Sequence, residues 1–599
     1  MKSRISLFDR GVSRSLLRRF WPLWTGYAVY MLLRLPARMP AMLAVAEAAK
    51  ANEYDYYSIL SLDGNVISNG VGMLLPAAIV SLILAGAMFG FLYNGRMCGL
   101  MNSLPLRRET MFCTAWLTGL LPLLLINLLC ALLAGAIGMP SGELSLQALL
   151  KWFAFVSLGE LAFYNFAVFC GMLTGRKVYM PLIFLMLNFI VGLLVGCVMV
   201  FLMVLLYGYS GSSFPDWARF LTPGARLIQE YGVGLLSLFV GSGDGSVSLK
   251  LLAVYTGLSV LFLLAALFLY RRRQMEAAGD AVAVPWAKPI LKYLFCLGFT
   301  FCFTLLVAVL TQLGSSGSGE VLAYLLPPLL IGCFLGYFIA EMLQRRTVKV
   351  FRGHWRGFFI TAAVLCVLVL ACRFDVFGYE TYVPAESDIA FVEFDGSYIG
   401  HLEQPEHVAD AVALHREALT LKDKEALTLK DKKDSRESAG TMTLRYTLKN
   451  GRTVEREYSM TKAMRREVIR LCDDPEAILC RMREISEIPF DRIESVYISE
   501  VSGKGDNYRS ASYALTEAQF AELMQNGVLP DAELGRIDLC NPDAFRGTVS
   551  YSIRISLKSV AFSFGRSAYT IKVDSNSEYT RLWIRTFLAS AQAEAAKDV

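Results

Sequence analysis

Few residues in this chain are of types that can do chemistry, and several of them stand in strongly apolar surroundings. Glu160 lies mid-way along the apolar stretch SLGELAFYNF, with Asn165 five residues later, and Asn127 and Asn188 occupy two other apolar stretches. A carboxylate far from water is costly, so Glu160 is expected to face the protein interior or a wet cavity. There it can line a substrate path or gate, or act as the structural partner of a facing asparagine. The set is too sparse for a proton relay or an ion-coupled pathway. No G-x-x-x-x-G-K-[ST] loop is present to cradle ATP phosphates. The C-terminal part has no G-x-S-x-G, and its carboxylates are scattered rather than paired. Its histidines, His401, His407 and His415, are not combined with cysteines. His407 and His415 are spaced to share a helix face and bind a metal, but solvated surface side chains are the expected reading. No enzyme activity, metal or other cofactor is expected.

The elements that must position these groups are mostly membrane spans. A helix needs about 20 mainly apolar residues to cross the hydrocarbon core with its backbone satisfied internally. Nine stretches approach this, near 20–36, 71–93, 112–137, 150–174, 179–207, 249–270, 290–312, 321–343 and 357–373. The first is the weakest: Trp21 and Trp24 suit an interfacial belt, and Arg34 sits near its end. A shorter apolar run near 232–240 fits a re-entrant or interfacial piece. Residues 1–19 read as an amphipathic cytoplasmic arm, with no cleavage site of a signal peptide.

Charge orients this body. Residues 1–374 carry 29 Lys+Arg against 15 Asp+Glu, whereas the region from Asp375 onward carries 29 against 37. With the N-terminus inside, 21 basic residues fall in the arm and the inner loops, and 6 in the outer loops. This bias predicts a cytoplasmic N-terminus. Nine spans then place the C-terminal region outside the cytoplasm, and the protein in the cell membrane. Three spans contain GxxxG (Gly86–Gly90, Gly192–Gly196 and Gly332–Gly336), which serves helix packing within the bundle or pairing of subunits. Most of the 13 cysteines lie within spans as small hydrophobes, and the three outside, Cys472, Cys480 and Cys540, show no metal spacing.

Two inner loops carry the most specific sequence. After the second span comes FLYNGRMCGLMNSLPLRRETMF, with Ser103-Leu104-Pro105 before Arg107-Arg108-Glu109. After the sixth comes LYRRRQMEAAGDAVAVPW. A tyrosine at the inner end of span 2, an SLP-x-R turn and a YRRR…E-x-A-G-D segment together resemble ABC-2 type transporter permeases. The likeness is to the Gram-positive branch that adds further spans and a large outer domain. It covers the membrane portion and implies a six-helix core over 20–275, additional helices over 276–373, and no nucleic-acid partner. It further implies a separate ATP-hydrolysing subunit, with Ser103, Leu104, Pro105, Arg108, Glu276 and Gly279 at or near the contacts to it. A homodimer or a paired second permease is allowed, with membrane lipid around it. Positive-inside topology and helix caps are the plainer account of both loops. The competing function is a membrane-anchored sensor whose outer domain binds a peptide or cell-wall-related ligand.

Residues 374–599 read as an α+β soluble domain. Thr441–Leu448 and Thr453–Tyr458 flank Asn450-Gly451, a strong hairpin signal. Helices are expected from Thr461, from Thr516 and from about Ser577, and strands at about 548–573. A turn is expected at Asp395-Gly396. The tandem repeat EALTLKDK over Glu417–Lys432 reads as a surface extension that tolerates insertion.

Overall fold

The structure, a computed structural model, describes residues 8–44, 62–211, 215–222, 249–310, 321–428, 438–537, 549–557, 568–573 and 577–595, apart from 346, 352, 354, 396–399, 473, 491–492 and 503–508. The apolar run near 232–240, residues 429–432 at the end of the tandem repeat, Gly396 and Cys540 lie outside the described residues. The chain forms two compact units. One comprises Met1–Val195, Trp217–Phe303 and Leu329–Ala362, the other Gly196–Asp216, Thr304–Pro328 and Ala363–Val599.

The helices run in chain order as α1 (Arg10–Arg34), α2 (Leu62–Gly72), α3 (Leu74–Met88), α4 (Gly95–Asn102), α5 (Arg108–Gly138), α6 (Leu146–Leu173), α7 (Tyr179–Leu205), α8 (Asp216–Phe220), α9 (Leu249–Arg272), α10 (Ala287–Leu310), α11 (Val321–Arg345) and α12 (Trp355–Arg373). Among the described residues, eight helical segments are long and apolar enough to cross a membrane: α2 with α3, α5, α6, α7, α9, α10, most of α11 and α12. The nine stretches read from the sequence are therefore corrected to eight on length and composition. The one that drops out is the first. Pro22, Arg34 and the amphipathic rings of Trp21, Trp24, Tyr27 and Tyr30 dilute its apolar character, and its helix begins at Arg10, within the basic arm. Arm and apolar stretch are one element with a kink at Phe20, whose φ/ψ of −113°/16° is not helical. Trp24, Tyr27 and Met31 of α1 are buried in the core of the first unit, and Trp24 Nε1 donates to Gly119 O on α5.

Glycine spacing packs α11 against α10. A Cβ on Gly332 would lie 3.1 Å from Thr300 O, and one on Gly336 2.9 Å from Cys296 O, so the bare backbone permits this close approach. For this pair, packing within the chain is the role observed.

The second unit contains β1 (Ile389–Asp395), β2 (Gly400–Leu402), α13 (Pro405–Thr428), β3 (Ser438–Leu448), β4 (Thr453–Thr461), α14 (Lys462–Cys472) and α15 (Pro475–Ser486). It continues with β5 (Ile493–Ser502), β6 (Arg509–Ala514), α16 (Glu517–Leu523), α17 (Leu529–Glu533), β7 (Val549–Leu557), β8 (Ala568–Val573) and α18 (Glu578–Ala595). The strands form two antiparallel sheets, ordered β2-β1-β3-β4 and β6-β5-β7-β8. Each sheet thus has the same plan: a hairpin, a helical connection, then a second hairpin whose first strand pairs with the first strand of the other. Thr461 Oγ1 accepts from Met464 N at the start of α14, and Thr516 forms a capping box with Gln519 at the start of α16. Each sheet carries its own apolar core, and α15 serves both: Ala477 joins the first, and Ile478, Met482 and Ile485 the second.

Candidate functional site

Three loops of the first unit interlock into one platform. Asn94 caps α4 by accepting from Arg96 N, and Ser103 closes that helix with its hydroxyl on Leu100 O at 2.7 Å. Ser103, Leu104 and Pro105 are exposed, and the chain re-enters helix at Arg108. Arg108 Nη1 then donates to Arg271 O at 2.9 Å and Arg273 O at 3.1 Å, while Arg271 pairs with Glu109 at 2.7 Å. Arg273 turns inward and donates to Leu92 O, Met172 O and Gly171 O. The guanidinium forks thus satisfy carbonyls at the ends of α6 and α9 and in the turn after α3.

The third loop, Thr174–Lys177, is one the sequence did not single out. Gly175 N donates to Asp280 O at 2.9 Å and Gly279 N to Gly175 O at 2.7 Å. Arg176 Nε donates to Gly279 O, and Thr174 Oγ1 to Ala281 O. A Cβ on Gly175 would strike Ala277 O and come within 2.7 Å of Asp280 N, and Gly279 has φ +99°, so both positions require glycine. Thr-Gly-Arg-Lys reads in sequence as an ordinary basic connection, which is why it carried no signal. Glu276 stands exposed in the 3-10 turn Met275–Ala277, beside exposed Arg271 and Arg272. The six loop residues singled out from sequence therefore belong to one surface. Arg108 and Gly279 hold it together, whereas Ser103, Leu104, Pro105 and Glu276 face outward.

The apolar-segment residues divide into two clusters and one isolated group. Glu160 and Asn127 are both fully buried, and Asn127 Nδ2 donates to Glu160 Oε2 at 2.8 Å. Tyr27 Oη lies 2.7 Å from Asn127 Oδ1 and contacts Glu160 Oε1. The three groups form a closed ring joining α1, α5 and α6. Asn165 accepts from Trp116 Nε1 and donates to Ser259 Oγ, tying α6 to α5 and α9. Asn188 is bonded only within its own helix in the contacts resolved, to Phe184 O. A pair missed in the sequence is Lys292 with Glu341, 2.9 Å apart between α10 and α11; an acid within the run FIAEMLQRR was the available signal.

In the second unit His415 corrects the surface reading. It is fully buried, with Nδ1 3.1 Å from Tyr446 Oη and Nε2 2.8 Å from Tyr458 Oη. Burial, with Arg456 and Arg416 nearby, pushes its pKa down to about 4. His407 lies apart from it, 3.9 Å from Asp474. No protein-family model, curated protein or solved structure matches the chain.

Proposed function

We propose that this protein is the membrane subunit of an ABC transporter of the ABC-2 type, an exporter powered by a separate ATPase that docks on the three-loop platform. The observation that carries the reading is the convergence of the two motif-bearing loops, 94–108 and 271–284, on one exposed surface around Arg108. A coupling surface must be stiff enough to pass a push into the spans, and the interlocked carbonyl and guanidinium bonds supply that stiffness. The absence of a phosphate loop agrees with hydrolysis in another chain.

With the basic loop before α5 on the cytoplasmic side, the seven apolar helices α5, α6, α7, α9, α10, α11 and α12 put the C-terminal domain outside, a count that does not depend on whether α1 crosses. Two contacts support the span parity behind this assignment. The platform joins the ends of α6 and α9 to the start of α5, as alternate spans require. The segment leaving α7 also contacts the C-terminal domain, with Tyr207 N donating to Glu380 Oε1 at 2.7 Å and Glu457 N to Gly208 O at 3.2 Å. That arrangement needs an even number of crossings between the ends of α7 and α12.

Glu276→Lys tests the docking assignment. Breaking a desolvated charge pair costs about 2–5 kcal/mol, so the variant should bind its ATPase at least about tenfold more weakly. Membrane insertion and melting temperature in detergent should stay unchanged, because Glu276 is exposed and the added charge agrees with the inner-loop bias. Full co-purification of the ATPase with full transport would remove the platform from consideration.

A further inference from the structure

The geometry points to a divalent transition-metal site in the C-terminal domain, with zinc as the best fit, formed by Glu393, His401 and Glu484. Glu393 and His401 face each other in the β1–β2 register, so their side chains project from the same side of the sheet. Glu484 comes from α15. His401 Nδ1 lies 3.8 Å from Glu393 Oε1 and 3.5 Å from Glu484 Oε2, and all three ligand atoms lie within 4.8 Å of one another. A tetrahedral ion with bonds of about 2.0–2.2 Å sets its ligands about 3.3–3.6 Å apart, so small side-chain shifts close the site.

The histidine supplies the independent observation. It is only 6% exposed, and its Nδ1 has no hydrogen-bond partner. Its other nitrogen, Nε2, lies 3.0 Å from Glu403 Oε1. With Nε2 held by Glu403, Nδ1 faces Glu393 and Glu484, where either a second proton or a metal ion can sit between the ring and the carboxylates. Carboxylate–histidine–metal is also the usual way an imidazole ligand is oriented. Arg481, one turn before Glu484, donates Nη1 to Glu393 Oε1 at 3.1 Å and contacts Glu484 Oε2. Each of those oxygens has a second lone pair for a metal, so Arg481 orients both ligands. The side chain of Glu484 is 41% exposed and opens the site to solvent, leaving a fourth position for water.

The test uses the full-length protein in detergent, stripped with a chelator, and titrated with Zn2+ alone and with Co2+ alone. One Zn2+ per chain is expected, with affinity falling at least about tenfold in both His401→Ala and Glu484→Gln. Glu484→Gln keeps the size of a partly exposed side chain, so it separates loss of a ligand from loss of fold. Bound Co2+ should show tetrahedral visible absorption without the intense near-ultraviolet band of thiolate ligation. Three results would each overturn the site: no binding, equal binding in parent and both variants, or a thiolate band that assigns the metal to cysteine. Retained ATPase association in these variants is expected, which keeps this outcome distinct from that of the docking surface.

Discussion

His415 shows how one buried side chain makes a domain sensitive to acid. Its ring nitrogens are both taken by tyrosine hydroxyls, on β3 and β4, and Arg456 and Arg416 disfavour a positive charge. In the unfolded chain a histidine titrates near 6.5, whereas the folded state holds this one at about 4. Between those values the unfolded chain binds more protons, so stability falls as pH drops from about 6.5 towards 4, at up to about 1.4 kcal/mol per pH unit. Hydrogen exchange of β3 and β4 in the full-length protein, corrected for intrinsic rates, should therefore speed up between pH 7 and pH 5. In His415→Gln, which cannot titrate, that extra slope should vanish. An unchanged slope would place the sensitivity elsewhere.

At the scale of elements, the long apolar helices were legible because their length and composition are dictated by the lipid core itself. The first helix, the weakest of the nine, falls short on composition, and its aromatics Trp24 and Tyr27 form a buried face while Trp21 stays exposed. In the C-terminal domain the caps at Thr461 and Thr516 and the Asn-Gly hairpin were readable from local chemistry alone. Helix α13 was not singled out: its buried residues Val408, Ala411, Val412, Leu414, His415 and Ala418 mix aliphatic, small and polar types in a segment whose charged tandem repeat dominates the composition. The glutamate–histidine cluster was invisible for a different reason: it joins a strand pair to a helix that follows about 80 residues later, so no spacing rule reaches it. The platform was half legible. Its motif loops stood out, but the glycine that locks them did not. Gly175→Ala should push the 277–280 segment away, since the added Cβ has no room beside Ala277 O. Faster hydrogen exchange over 271–284 and weaker ATPase association should follow together. If exchange there is unaltered, the interlock is not what holds the platform.

For the whole molecule, the proposed orientation rests on the Lys and Arg residues of the loops between the apolar helices. Ala518 is exposed on α16, far along the chain from any span. In Ala518→Cys, labelling by a membrane-impermeant maleimide in intact cells should rise clearly above the parent protein. Labelling that appears only after lysis would put the domain in the cytoplasm and reverse the platform's side as well.

The repeated strand plan of the C-terminal domain resembles two small modules placed in tandem, yet α15 belongs to both. Because its apolar side chains are divided between two interiors, neither module can be cut away without opening the other. The duplication therefore behaves as a hinge that has been welded: two similar parts, one cooperative transition. An ion held by β1, β2 and α15 would brace the first sheet against the helix that both interiors share.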